Sequence, residues 1–267
     1  NFLSEPAAPR GASQKIRTEG MDDKLKQTDI DLCQKLDGTP DTTDAASASH
    51  ANSQLPVRPT TGRKVALGAK KHFSCAIVYG PDAGCVMQLE SLTEKGVALL
   101  LLARDDVAAL ESQVLFCWID DFGSERKHFF DFRVTMTDGS RVAIMVKCNK
   151  KLSDEEFRAE IACIADQVSA SFADRVTLMT EAHLDPVALH NAKLFNAVRK
   201  PDPEADAAIR AAVADLVGAV KIGDLIAHTG LAGRGFRSIA RLIGAYELDL
   251  QTPMRIGYDS RVYRRTV

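Results

Sequence analysis

A chain of 267 residues is long enough for one large domain or two small ones, and at 45% apolar residues it can bury a substantial core. A formal charge of -2 excludes a polycationic nucleic-acid binder, so any nucleic-acid surface has to be local. The apolar run Val97–Ala103 is far shorter than the roughly 20 residues a membrane helix needs, and no signal-peptide pattern is present.

Residues 1 to about 62 are rich in Ser, Thr, Asp, Ala and Pro and poor in large apolar residues, a composition that predicts a disordered tail. Within it only Asp29–Leu36 reads as a short helix. The chain opens on Asn1, which suggests a partial or upstream-extended reading frame with Met21 as the natural start. A strand is predicted over Phe73–Tyr79 and another over Cys85–Leu89, joined by the turn Pro81-Asp82-Ala83-Gly84. Ser91–Ala103 reads as a helix, with Ser91 and Glu94 in capping-box spacing. Val114–Ile119 is the next strand, and Trp118 in it is a core residue. Phe129–Met136 and Arg141–Cys148 alternate apolar and polar around the turn Thr137-Asp138-Gly139-Ser140 and predict a hairpin. In that reading Phe130, Phe132, Val134 and Met136 share a face with Val142, Ile144, Val146 and Cys148. Val134 then pairs opposite Ile144 or near it, and Asp131 lies opposite Lys147 on the other face. A helix from Ser153 to about Ser169 carries Glu155 and Glu156 in its first turn, where the helix dipole favours acids. Val176–Thr180 completes a mixed α/β core over residues 63–198.

Pro201-Asp202-Pro203 marks a change of composition. Glu204–Val217, Ile222–His228 and Phe236–Ala245 read as helices, with Gly230–Gly235 a turn, and Leu248–Leu250 with Met254–Tyr258 as a small hairpin. Three short helices and a terminal hairpin form a winged-helix pattern over residues 199–267. From residue 230 onward seven arginines face three acids, an excess placed where a recognition helix and wing would meet phosphates. Arg234, Arg237 and Arg241 are the candidate DNA contacts, against a merely solvated helix face, and Lys150 and Lys151 are candidates beside the core.

Two pairings carry possible chemistry. Asp131 beside Lys147 is either a cross-strand ion pair or a site in which the carboxylate holds a hard cation while the lysine orients water and stabilises charge on a phosphate. Glu94 is either the closing acid of the capping box or a second ligand from a helix packed on the sheet. The six cysteines (33, 75, 85, 117, 148, 163) lack C-x-x-C spacing and read as reduced, mostly buried thiols of a cytoplasmic protein rather than a zinc site. The histidines at 72, 128, 183, 190 and 228 show no metal-ligand spacing. There is no glycine-rich phosphate loop, nucleophile elbow or H-E-x-x-H.

The run Glu90-Ser91-x-x-Glu94, then Gln113, Phe130-Asp131-Phe132, a turn, and Ile144-x-Val146-Lys147 resembles the TnsA-like transposon endonucleases. These belong to the wider restriction-endonuclease-like fold, whose signature is a Glu, a Pro-Asp and a Glu-or-Gln-x-Lys. The resemblance covers roughly residues 65–260 and implies a mixed sheet flanked by helices, followed by a winged-helix domain. It implies Glu94, Asp131 and Lys147 as catalytic residues. It also implies a Mg²⁺ or Mn²⁺ held by Glu94, Asp131 and the backbone at Val146. Double-stranded DNA as substrate, a transposase subunit as partner and a nucleoid-associated cytoplasmic location follow from the same resemblance. Gln113 matches a structural glutamine. Phe130 stands where proline is usual, and Val114 follows Gln113 in place of proline. Met145 occupies the Glu/Gln position and is read as facing Asp131 and Lys147, where a thioether is a poor ligand for a hard cation. Either the site works with fewer ligands, or an acid such as Glu156 or Glu160 has taken over, or the chain is a catalytically degenerate DNA-binding or assembly subunit. In the first case Met145→Glu or Met145→Gln is expected to raise activity. The reading requires Glu94, Asp131 and Lys147 to converge in one solvent-open cleft.

Overall fold

The computed structural model describes residues 55–57, 74–214 and 216–265. The expected tail, its short helix and the start at Met21 lie outside the described residues, apart from 55–57. Residues 54–267 form one compact unit.

A hairpin of β1 (Cys75–Tyr79) and β2 (Cys85–Leu89) leads into helix α1 (Leu92–Leu102). A four-stranded sheet follows in the order β3 (Val107–Ile119), β4 (Glu125–Met136), β5 (Arg141–Val146) and β6 (Arg175–Met179). The first two pairings are antiparallel and β5–β6 is parallel, so the return to β6 needs a crossover. A 3-10 turn, Asn149–Ser153, and helix α2 (Glu155–Gln167) supply it. The result is a mixed sheet flanked by helices. Helix α1 is apolar nearly all round over Val97–Leu102 because it is covered on two sides, by the sheet and by α3 (Pro186–Ala197). Gly96 makes this close packing possible, since a Cβ there would meet Leu184 Cδ1 at 2.8 Å.

The strands β3 and β4 begin earlier than their apolar runs, because Val107–Ser112 pair with Phe132–Met136 and Glu125–His128 with Phe116–Ile119, one long ribbon despite polar side chains. Helix α3 went unread in the sequence, although Asp185 caps it through Ala188 N–H and Pro186 sits in its first turn.

The register differs from the expected one by two residues: Val134 pairs with Val142 and Phe132 with Ile144. The alternation also changes face within β4. Phe132 stands with Ile144, whereas Phe130 packs with Ala143, Met145, Trp118 and Ile164 beneath α2. Asp131 lies at this switch. On β3 the partners run Ser112–Phe132 and Val114–Phe130, with buried Gln113 between them in the left-handed region at φ 54°. The irregularity places large side chains of β4 on both faces, and Phe130 and Phe132 are both fully buried. Each such side chain contributes roughly 1.5–3 kcal/mol relative to an exposed one.

The C-terminal part contains α4 (Pro203–Ala214), β7 (Val220–Lys221), α5 (Ile222–Thr229), α6 (Ala232–Gly244), β8 (Leu248–Leu250) and β9 (Arg261–Arg264). Its strands run in the order β7-β9-β8, all antiparallel. The final strand is Arg261–Arg264 rather than the expected 254–258, and helix α6 starts at Ala232 inside the expected turn. Gly235 is helical and buried, lying against Ile226 of α5. This part has its own apolar cluster around Ile209, Ile222, Ile239, Leu248 and Val262. It is also tied to the preceding part. Tyr246 Oη donates to Ala103 O at 2.7 Å, and Gly244 leaves room for the Phe195 ring of α3. Arg199 donates to three carbonyls of the β1–β2 turn, those of Gly80, Asp82 and Ala83.

Candidate functional site

The β4–β5 ladder stops at Phe132–Ile144, and beyond it the two strands part. The Val146 N–H takes no β4 carbonyl but donates to Asp131 Oδ2 at 2.6 Å. A carboxylate therefore stands in for a missing ladder partner at the mouth of the fork. On the other side β5 stays joined to β6, with Lys147 N–H donating to Met179 O at 2.9 Å. Lys147 Nζ lies 3.6 Å from Asp131 Oδ2, a distance that makes an ion pair rather than a hydrogen bond. Asp131 meets Lys147 along a diagonal and not as its direct cross-strand partner.

Glu94 reaches the same region from the first turn of α1. Its amide donates to Ser91 Oγ at 3.0 Å, while its carboxylate accepts from Glu90 N–H at 2.8 Å and from Ser91 Oγ at 3.0 Å. The capping reading of Glu94 is thus realised, displaced by one residue, since the acid reaches Glu90 N–H and not the cap's own amide. The metal reading is not removed by this, because burial raises the proton affinity of Glu94 and the charge of nearby Asp131 raises it further, against those two hydrogen bonds. Asp131 is raised too: burial outweighs the opposing effects of Lys147 and the Val146 N–H, and the charge of Glu90 adds to it. Three carboxylates, Glu90, Glu94 and Asp131, therefore act on one another with Lys147 as the neighbouring cation. Glu90 stood in the sequence motif without a role, yet its charge acts on both Glu94 and Asp131.

These buried acids predict a pH effect on stability. A carboxylate whose folded proton affinity is raised favours the folded state at low pH, and that contribution disappears as pH rises through the folded pKa. Glu94→Gln removes the buried charge, so its melting temperature relative to the parent should rise by a few degrees on going from pH 5 to pH 8. Thermal unfolding at the two pH values checks this; a difference that is constant or shrinks would contradict the electrostatic picture.

Glu94 and Asp131 are each only 6% exposed, whereas the Lys147 side chain is 31% exposed. The three residues converge, but access is from the lysine side and not through a wide cleft. Two clefts of about 580 and 820 Å³ lie among other residues and include none of the three. The hard oxygen donors of Glu94 and Asp131, both lacking a full counter-charge, fit a divalent cation in type. As they stand, no three His, Cys, Asp or Glu side chains among the described residues are grouped to hold one. Glu94 would have to release a cap hydrogen bond to serve as a ligand.

Met145 corrects the sequence reading. It is fully buried in the cluster of Phe130, Trp118 and Ile164 under α2, and does not face Asp131 and Lys147. Glu156 and Glu160 are exposed on α2, the helix that covers this opposite face. Lys150 is exposed on the 3-10 turn after β5, a turn held by Glu181, whose carboxylate accepts from Asn149 N–H at 2.9 and 3.0 Å. Lys151 instead sits over the Phe157 ring at 5.5 Å. Cys75, Cys85, Cys117 and Cys163 are partly buried free thiols, and Cys148, beyond the end of β5, is exposed.

The three C-terminal arginines have different fates. Arg241 pairs with Asp206 at 2.5 Å, both side chains largely buried, and also donates to Val198 O. Burial is the largest single influence and works against the Asp206 charge, but the hydrogen bonds and charge of Arg241 together with neighbouring donors, the Asp202 N–H among them, hold that carboxyl below its usual range. Arg234 bridges Asp202 and Glu204 at the start of α4. Arg237 is exposed on α6 and makes no ion pair among the described residues. Nearby, Phe236 stacks on Tyr258 with ring centroids 5.1 Å apart, and Tyr258 is half exposed.

No protein-family model matches the chain, and no curated protein matches it. Among the described residues no helix is long and apolar enough to cross a membrane.

Proposed function

We propose that this chain is a metal-dependent DNA endonuclease of the restriction-endonuclease-like type, resembling the TnsA-like enzymes that cut at transposon ends together with a transposase. The observation that carries the reading is the fork between β4 and β5, where buried Asp131 meets Lys147 and lies close enough to Glu94 for the two charges to act on each other. A Mg²⁺ or Mn²⁺ bound there would supply an activated water and charge neutralisation at a phosphate. Glu94 and Asp131 would hold it, with the Val146 carbonyl as the third oxygen. Lys147, the most exposed of the three side chains, is the group able to meet a phosphate oxygen from solvent. Lys150 stands next to it as a phosphate contact.

The C-terminal part supports a winged-helix reading. The support is the order helix, short strand, two helices, two strands, with the last strand paired between the other two, which fits the winged-helix arrangement. In this reading α6 is the recognition helix, and Arg237 is its available cation. Arg237→Ala should weaken binding to duplex DNA, lower the salt-dependence slope by about 1, and leave the melting temperature unchanged. Arg241→Ala should instead destabilise the fold by about 3–5 kcal/mol, since it strands a buried carboxylate. Titrations at several salt concentrations and thermal unfolding distinguish the two. Equal affinity losses without destabilisation would contradict the assignment.

A second reading has its own support. Glu94 is fully engaged in the helix cap and the acids are nearly closed to solvent, which favours a DNA-binding or assembly subunit that has lost the chemistry. Nicking of supercoiled plasmid in Mn²⁺, alone and with a candidate transposase, separates the readings. Metal-dependent nicking that Asp131→Ala abolishes supports the nuclease; its absence under both conditions supports the subunit.

A further inference from the structure

Phe122 stands at the tip of the β3–β4 ribbon with its side chain 91% exposed. That side chain has no part in closing the turn, which Asp120 does. The Asp120 N–H donates to Ser124 O at 3.0 Å, and its Oδ1 accepts from Phe122 N–H at 3.0 Å and Ser124 N–H at 2.9 Å. Arg126 Nε donates to Asp120 Oδ2 at 2.8 Å. The base of the tip is anchored as well. The Gln167 side chain on α2 accepts from Ile119 N–H and donates to Ile119 O, each at 2.8 Å. A large ring is thus held into solvent on a fixed mount. A single exposed apolar residue is ordinary, but this one is flanked by Asp121 and Glu125, both exposed.

The cleft of about 820 Å³ in the C-terminal part has the complementary character. Leu216, Val217 and Tyr263 give it an apolar wall, Arg264 and Arg265 give it positive charge, and no acid lines it. The wall is open to solvent, since Val217 is fully exposed and Tyr263 is 39% exposed. The tip cannot fill the cleft of its own chain. Arg265 pairs with Asp105 at 3.5 Å, just before β3 begins, and the tip lies at the far end of that strand. Its 13 residues, at about 3.3 Å each, separate the two by roughly 40 Å. The acids of the tip repel a phosphate backbone, so DNA does not suit it either.

We infer that the chain self-associates by seating Phe122 of one copy in the cleft of a second copy, with Asp121 and Glu125 against Arg264 and Arg265. Two copies that exchange tips about a two-fold axis make this contact twice and leave neither tip unfilled. One phenylalanine buries about 150–250 Å², whereas stable interfaces bury about 1,200 Å² or more. The dimer is therefore weak, reversible and sensitive to salt. The inference does not depend on the nuclease reading.

Sedimentation velocity of the full chain tests it. The parent should pass from monomer to dimer as its concentration rises, and added salt should reverse the change. Phe122→Asp and Val217→Asp should each raise the dissociation constant at least about tenfold. Both side chains are exposed, so neither change should lower the melting temperature. Asp121→Arg and Arg264→Asp should each weaken the dimer, and the two together in one chain should recover most of the loss. A parent that stays monomeric at every concentration would overturn the proposal. So would a dimer that Phe122→Asp or Val217→Asp leaves intact, or a paired charge swap no better than either single one.

Discussion

Asp131→Asn is expected to lower metal-dependent nicking by at least about 100-fold while leaving the fold in place. Removing an outer group of a metal site commonly costs 10–100-fold, and a direct ligand should cost more. The fold should survive because the amide oxygen of asparagine can still accept from Val146 N–H, the bond that fills the gap between β4 and β5. The Lys147 ion pair is lost, but at 3.6 Å and with a partly exposed ammonium its contribution is small. The neutral side chain also escapes the burial penalty that raises the Asp131 pKa. Little change in melting temperature with a large loss of nicking marks a residue kept for chemistry. The check is a paired measurement of nicking rate and thermal unfolding. An inactive variant that is also strongly destabilised would instead mark Asp131 as a structural plug of the fork.

Met145→Glu is expected to destabilise the protein by more than about 4 kcal/mol and to gain no activity. Met145 is fully buried among Phe130, Trp118 and Ile164, where a carboxylate finds neither a cation nor a donor. Met145→Leu, close in volume, should cost less than about 1.5 kcal/mol and serves as the control. Urea denaturation of the three proteins measures the differences directly. A stable Met145→Glu protein with faster nicking would mean that the side chain reaches the acids, and would restore the idea of a lapsed ligand at that position.

The hairpin of β4 and β5 was legible because alternating apolar residues and the Asp138-Gly139 turn state it locally. The capping box was legible for the same reason, being a short-range pattern of Ser91 and Glu94. The mixed sheet flanked by helices followed from the order of those segments. What alternation could not state was its own interruption. The change of face at Asp131, opposite the left-handed Gln113, moves Phe130 to the α2 side and allows Met145 to be core. Counting two residues back from Lys147 along a regular strand therefore put Met145 on the wrong face. The arginines show a different limit. Spacing on α6 made Arg234, Arg237 and Arg241 look equivalent, but their partners Asp202, Glu204 and Asp206 come from a separate helix start some thirty residues away. Only the packing of α4 against α6 decides which of them stays available.

Binding of Mn²⁺ to the full chain, followed by electron paramagnetic resonance, tests the central claim without requiring a substrate. The account predicts saturable binding of the ion that Asp131→Asn abolishes, Glu94→Gln weakens and Met145→Leu leaves unchanged. No saturable binding, or binding that persists undiminished in Asp131→Asn, would contradict it.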